Sequence, residues 1–560
     1  MPVLTRPETA VSGTSVLAWS PWVTAAVIAL PMLCLPWLAA FPEENIWPHL
    51  LDTVLPRYVG TTLLLMLGVG VGVFVLGVST AWLVTMCRFP GRALFRWSLL
   101  LPLAMPAYLV AYIYTDLLEF AGPVQHALRE MTGWTSARQY WFPHIRSLGG
   151  AVLVMTLVLY PYVYMLARSA FLTQSVAALE AGRLLGASAF GAFVRVALPS
   201  ARPAIAVGVA LALMETLNDF GTVDYFGVQT LSAGVYDVWL NMGNLGGAAQ
   251  IAVVMLAFVI ALVAVERFSR RRQAHHMTKS NQDPLPEYAL SGLRAVAASG
   301  FCASIVILGF ALPAGVLLSY VWAHPGAGWS AELGRFAFNS VSLATGAAVI
   351  TVGVGMLLAY STRLRPIGLT RVVVRVASLG YAVPGAVLAI GILVTFAGID
   401  NAVDAAMRQW FGVSTGLLLS GTGFAVLFAY VVRFLAIPAA GIESSLAKIT
   451  PSMDMASRTL GEGAQGTFRR VHLPLIRGGV LAASTIVFVD CMKELPATLM
   501  LRPFNFDTLA THLYQFASDE QIEAAALGAL IIVLVGLAPV IILNRAIERT
   551  RSLVRSQANL

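Results

Sequence analysis

Long apolar runs separated by short, polar, arginine-bearing stretches make up most of the chain. Taken in order they predict helical spans at about 20–41, 59–86, 95–117, 149–170, 202–220 and 247–266, then at about 296–322, 338–361, 372–398, 415–437, 478–500 and 524–544. A helix needs ~18 or more apolar residues to cross a bilayer. Such a helix satisfies its own backbone N–H and C=O groups, which hydrocarbon cannot do. The alternating ~10-residue segments of a membrane barrel are absent. The pattern therefore predicts an all-α polytopic membrane protein with about twelve transmembrane helices.

The longest polar interruption, SRRRQAHHMTKSNQDPLPE, runs from Ser269 to Glu287. It divides the chain into a first six-span half (1–266), a linker (267–295) and a second six-span half (296–560). The halves resemble each other. YAVPGAVLA at Tyr381 matches LAMPAYLVA at Leu103, DCMKELPAT at Asp490 matches ETLNDFGTV at Glu215, and TLATHLYQF at Thr508 matches TLSAGVYDV at Thr230. An even number of spans per half gives both the same orientation. The expected architecture is thus a parallel repeat about an axis normal to the membrane, with a pathway between the halves.

Composition agrees with this pattern. Only 11% of residues are charged and 58% are hydrophobic; soluble domains carry about 25% charged residues. The net charge of +8 does not point to nucleic acid, because the basic residues gather at the ends of apolar runs. One set of loops holds Arg88, Arg92 and Arg96, then Arg183, Arg195 and Arg202, then Arg267, Arg270, Arg271, Arg272 and Lys279. In the second half the same side holds Arg363, Arg365, Arg371, Lys448, Arg458, Arg469 and Arg470, and the tail holds Arg545, Arg549, Arg551 and Arg555. Basic loops stay in the cytoplasm, so that side and both termini are expected there. The loop with Arg129, Arg138 and Arg146 is an exception. The first apolar run, about Trp22 to Phe41, is long for a signal peptide and reads as a retained span. Cys34, Cys87, Cys302 and Cys491 form no CxxC pair and predict neither a disulfide framework nor a zinc site.

Two polar segments recur at matching places, between spans four and five of each half. The first is LEAGRLLGASAFGAFVRVALP, residues 179–199, and the second MDMASRTLGEGAQGTFRRVHLP, residues 453–474. Both keep a glycine (Gly186, Gly461) followed by nine residues and then a four-residue end in Leu-Pro. A short helix ended by glycine in a left-handed turn, a second helix that Ser188 caps, and a proline that redirects the chain together predict a helical hairpin in each cytoplasmic loop. An ordinary amphipathic connector would explain one copy; two at equivalent positions favour a partner-binding role.

The pattern E-A-A-x3-G-x9-I-x-L-P resembles the signature loop of type I ABC importer permeases, and the resemblance covers nearly the whole chain. It implies that each loop is a coupling helix seated on a separate ABC ATPase subunit, whose ATP-driven closure rocks the halves. Carried over, Glu180, Ala181, Gly186, Leu198 and Pro199 form the first coupling element. Ala456, Gly461, Leu473 and Pro474 form the second. Met455 stands where glutamate is expected and Ser457 where alanine is. Asp454, one position earlier and about 100° around the helix, is an imperfect substitute. ALMETLNDFGTVDYFGVQTLSAGVYDVWLNMGNLGGAAQIA and KELPATLMLRPFNFDTLATHLY are similar more narrowly to the fused, double-length ferric-iron permeases. Thiamine permeases share that layout, and an ion-gradient-driven secondary transporter is the reading from another class. The family implies a periplasmic substrate-binding protein at the outer face, an ATPase dimer at the inner face and the bacterial inner membrane around the chain.

The chain itself lacks a G-x4-G-K-[ST] loop: its only lysines are Lys279, Lys448 and Lys493, none so placed. No bound cofactor and no enzymatic activity are expected, with ATP on the partner. Intramembrane carboxylates mark candidate pathway or gate positions: Glu215 with Asp219, their repeat mates Asp490 with Glu494, and Asp224 with Tyr225. Ferric ion favours such oxygens, but a permease needs weak contacts. Pairing with Lys493, or capping of helices broken near Gly221 and Pro496, explains the acids better than coordination, so no metal ligand is assigned. His275 and His276 read as solvated linker residues. Trp134, Trp141 and Trp239 read as interfacial anchors.

Overall fold

The computed structural model describes residues 14–172, 174, 180, 184, 186, 188–271, 287–324, 326, 330–364, 368–447 and 449–557. Within these, helices account for nearly all regular structure, with one two-residue parallel pair, Cys87–Arg88 beside Tyr288–Ala289. Ten helices are long and apolar enough to cross a membrane, or up to 12 if each of two bent pairs counts as one span. His275, His276, Lys279, Ala181, Arg183, Arg272, Arg365 and Lys448 lie outside the described residues.

Contacts divide the chain into two compact units. One comprises Met1–Leu35, Val341–Val383 and Gly391–Cys491; the other comprises Pro36–Ser340, Pro384–Ile390 and Met492–Leu560.

The larger unit is built on the helices Leu55–Met86 and Leu148–Leu172. Their seam is lined by glycines. A Cβ on Gly68 would sit 2.8 Å from Val152, one on Gly72 2.4 Å from Thr156, and one on Gly77 2.6 Å from Val163. Small residues let helices approach closely where lipid supplies no hydrophobic drive. The predicted span at 95–117 is instead broken. Arg92–Ala104 and Ala107–Thr132 meet at 92°, with Pro102 and Pro106 at the break. Proline removes an N–H and leaves carbonyls unbonded. Leu148–Leu172 answers this need: Tyr160 donates to the Leu99 carbonyl at 2.7 Å, and Tyr164 and Arg168 donate to the Arg96 carbonyl at 2.9 and 3.0 Å.

Equivalent bonds recur across the repeat within this unit. Thr62 Oγ1 accepts from the Leu231 N–H at 3.0 Å, and Ser340 Oγ accepts from the Leu509 N–H at 2.8 Å. Thr230 and Thr508 are the N-caps of the helices Leu231–Tyr236 and Leu509–Ser518. Two arginines of the loop that broke the charge rule are paired. Arg129 stacks on Phe120 at 4.1 Å and donates to its carbonyl, while Arg146 pairs with Glu119 and Glu520.

In the smaller unit the predicted span at 415–437 begins later, as Gly423–Phe434 followed by Ala436–Leu446 at 41°. The residues before it form a loop tied to the preceding helix. Asp400 accepts from the Leu419 and Ser420 N–H groups at 2.9 and 2.8 Å, and Asp404 from Thr415 at 2.7 Å. A glycine-rich stretch with two carboxylates ready to take its N–H groups gains more from this loop than from a longer helix.

Filling the seam tests its role. Gly72→Leu should cost about 1–3 kcal/mol through overpacking, read as a lowered melting temperature of the purified protein, while Gly60→Leu, where no atom lies within 4 Å of the added Cβ, should melt as the parent does.

Candidate functional site

Each repeated polar segment ends in the same backbone device. Gly186 and Gly461 have φ of 82° and 85°, the left-handed region that side chains disfavour. Nothing lies within 4 Å of a Cβ at either position, so conformation and not space requires glycine. Ser188 Oγ then accepts from the Gly191 N–H at 3.1 Å. Next comes a π-helical turn, Phe193–Ala197 in one segment and Phe468–His472 in the other. The Leu198 N–H reaches back to the Phe193 carbonyl, and the Leu473 N–H to Phe468. Pro199 and Pro474 follow directly. A proline has no N–H and its ring crowds the carbonyl four residues back, so the ladder widens by one residue. Such π turns often sit at functional positions.

An aromatic pair, absent from the sequence reading, holds each π turn. Trp82 packs on Phe193 with centroids 4.8 Å apart, and Tyr360 packs edge-on against Phe468 at 4.9 Å. Trp82 and Tyr360 lie at equivalent repeat positions, as do Phe193 and Phe468. Comparing the halves for shared aromatics would have found them.

The second segment carries a further tie. Its first helix, Pro451–Thr459, presents Asp454 to two partners: Arg363 at 2.8 Å and His472 Nε2 at 2.7 Å. Arg363 also donates to the carbonyls of Leu446 and Ile449 at 2.6 and 3.1 Å. Burial pushes the Asp454 carboxyl up, but His472 and Arg363 outweigh it and hold the group below the ordinary value of 3.8. Ser457, in place of the expected alanine, is buried and shares a 2.9 Å hydrogen bond with Thr467. Met455 and Ala456 are exposed, and so are Gly461, Leu473 and Pro474. In the first segment Glu180 is exposed, whereas Leu198 and Pro199 are half-buried.

Two of the intramembrane acids cap broken helices. Asp219 stands just after Leu198–Asn218 and takes the N–H groups of Thr222 and Val223 at 2.9 and 3.3 Å, plus the Thr222 hydroxyl. Glu494 stands after Leu473–Met492 and takes Ala497 N–H, Thr498 N–H and the Thr498 hydroxyl at 3.1, 3.0 and 2.6 Å. The short helices Gly221–Tyr225 and Pro496–Leu501 thus start from equivalent carboxylate caps. Gly221 is required by close approach, since a Cβ there would lie 2.8 Å from both Leu495 and Tyr108. Asp224 accepts from the Tyr514 hydroxyl at 2.6 Å, and Tyr225 lies under the Arg146 guanidinium at 4.9 Å. Glu215 and Asp490 are half-buried in the helices preceding the two breaks. Among the described residues, no three His, Cys, Asp or Glu side chains group as a metal site.

The family model of the binding-protein-dependent transport system inner membrane component matches residues 73–274 and again residues 351–552. The chain belongs to this family. Each matched stretch contains one of the two polar segments, with its left-handed glycine and π turn, and one carboxylate-capped break. The fold is accordingly that of a type I ABC importer permease, a multi-pass inner-membrane transport component and not itself an enzyme. A Fe(3+)-transport system permease protein of Haemophilus influenzae is 28% identical over 536 residues, 94% of this chain and 98% of that one. The ferric transport system permease protein of Actinobacillus pleuropneumoniae is 22% identical over 92% of this chain and 75% of its own length. The molybdenum transport system permease protein of Escherichia coli is 30% identical over 35% of this chain and 86% of its own length.

The Asp454 tie makes a pH prediction. A carboxyl held below its ordinary value contributes stability above pH 3.8 that is lost as pH falls through the folded value. Protection of the Pro451–His472 hairpin from proteolysis should therefore fall in acid in the parent but not further in Asp454→Asn. At neutral pH, Arg363→Ala should cost about 1.5–3 kcal/mol, seen as a lowered melting temperature; an unchanged one would remove the tie from the account.

Proposed function

We propose that this permease imports ferric iron, with substrate delivered by a periplasmic binding protein and with ATP hydrolysed by a separate ABC ATPase dimer. The observation that carries the substrate is similarity along nearly the whole chain to a Fe(3+)-transport permease. The partial match to a molybdenum permease supports only the shared machinery. The basic loops, the two hairpins and both termini face the cytoplasm, where the ATPase grips Glu180, Ala181 and Gly186 in one hairpin and Ala456 and Gly461 in the other. The chain binds no nucleotide.

The two grips are unequal. Glu180 offers an exposed carboxylate, whereas the second hairpin offers Met455, 61% exposed, because Asp454 is engaged by Arg363 and His472. The first contact is a charged hydrogen bond and the second is apolar burial.

Reconstitution with the ATPase and the binding protein tests the whole reading: ferric-loaded binding protein should stimulate ATP hydrolysis and ferric uptake, and failure of both would refute it. Uptake that survives without the ATPase would favour a gradient-driven transporter, and stimulation by thiamine instead of iron would move the substrate. Glu180→Ala should lower coupled transport roughly tenfold, since a charged hydrogen bond is worth ~1.5–3 kcal/mol. Met455→Ala should lower it less, and equal losses would remove the asymmetry.

A further inference from the structure

The larger unit buries an oxygen-rich cluster that neither the hairpins nor the capped breaks use. Tyr108 and Tyr112 lie one turn apart on the helix Ala107–Leu118. They are 5% and 0% exposed. Neither hydroxyl has a hydrogen-bond partner among the described residues. An unpaired buried hydroxyl is costly, and native structures rarely keep one without a reason. Here two stand together, with ring centroids 5.8 Å apart.

Tyr112 packs on Tyr225, the neighbour of Asp224, with centroids 4.3 Å apart, and the Arg146 guanidinium lies on that ring at 4.9 Å. Tyr112 lies within electrostatic range of Tyr514, Asp219 and Asp224, and Tyr108 within range of Asp219 and Glu494. Asp219 and Glu494 are committed to their caps. Asp224 instead holds a single phenol, Tyr514, at 2.6 Å. The cluster draws on both halves of the repeat, yet all of it belongs to one compact unit. Phenol and carboxylate oxygens are hard donors. A buried group of phenol and carboxylate oxygens, two of the phenols unpaired, is suited to accept a cation.

We propose that Tyr112, Tyr514 and Asp224, with Tyr108 beside them, form a transit site for a hard trivalent cation, ferric ion, inside the permease. The site rests on the ferric-import reading and gives that reading an intramembrane stop. Each phenol that binds releases its proton to solvent and contributes one phenolate oxygen, with no change in oxidation state. The Tyr514 proton leaves its bond to Asp224, which frees both oxygens of that pair for the metal. Protons compete with the metal for each phenol, which weakens its hold, and conduction requires a hold weak enough for release.

The test uses the full-length chain in lipid nanodiscs titrated with ferric nitrilotriacetate. Ferric phenolate has a visible charge-transfer absorption that ferric carboxylate lacks. The parent should develop this band, Tyr112→Phe and Tyr514→Phe should each at least halve it, and Tyr140→Phe, in the outer loop, should leave it unchanged. No band, or a band unaffected in both variants, overturns the site. Tyr→Phe keeps the ring, and at Tyr112 it deletes an unpaired hydroxyl, so a merely structural role predicts an equal or higher melting temperature and no spectral change. Resonance Raman excitation within the parent's band needs no variant: tyrosinate ring modes uphold the site and their absence overturns it. Ferric uptake at the parent rate in both variants, without a band, sinks the site and leaves the importer standing. A band lost in the variants upholds the site whatever the importer assay reads.

Discussion

The need to satisfy every backbone polar group without water governs this fold. A straight span meets it alone, but a transporter needs breaks, and each break strands N–H or C=O groups in a medium that charges heavily for them. The chain answers with side chains drawn from neighbours. Carboxylates cap the helices restarted after Asp219 and Glu494. Tyrosines of Leu148–Leu172 close the carbonyls stranded at Arg96 and Leu99. Hydroxyls of Thr62 and Ser340 take the N–H groups of Leu231 and Leu509. Polar residues inside these spans are therefore mostly structural obligations of the breaks.

The two repeated polar segments obey the same logic. A proline set directly before a span cannot extend the ordinary ladder, so the chain takes a wider turn, and an aromatic from another helix steadies it. The repeat preserves the backbone device while the side chains diverge. One hairpin keeps an exposed acid; the other turns its acid inward onto Arg363 and His472.

Much of this was legible in the sequence. Apolar run length gave the all-α class, and matching stretches in the two halves gave the repeat. The glycine-to-proline spacing gave the left-handed turns at Gly186 and Gly461 and the hairpin of the second segment; the first helix of the first segment lies mostly outside the described residues. The capping role of Asp219 and Glu494 was among the stated alternatives. What escaped is what hydropathy averages away. Pro102 and Pro106 sit in strongly apolar text, so a window reads through the 92° bend. Similarly, the apolar stretch before Gly423 looked like span, because the carboxylates of Asp400 and Asp404 that tie it down lie in the previous element. Trp82 and Tyr360 escaped for another reason: aromatics are common in spans, and only a comparison of the two halves sets these two apart.

The seam at the start of the second half is held by more than the chain's connectivity. Arg88 and Arg92 both pair with Glu287, and Cys87–Arg88 lies hydrogen-bonded beside Tyr288–Ala289. Ser299 adds a bond to the Pro90 carbonyl at 2.8 Å. The far end of the linker is thus fastened to the first half by contacts that do not depend on the peptide bonds between them. Within the larger unit, then, the end of the linker and the start of the second half are held to the first half by side-chain and backbone contacts as well as by the chain itself.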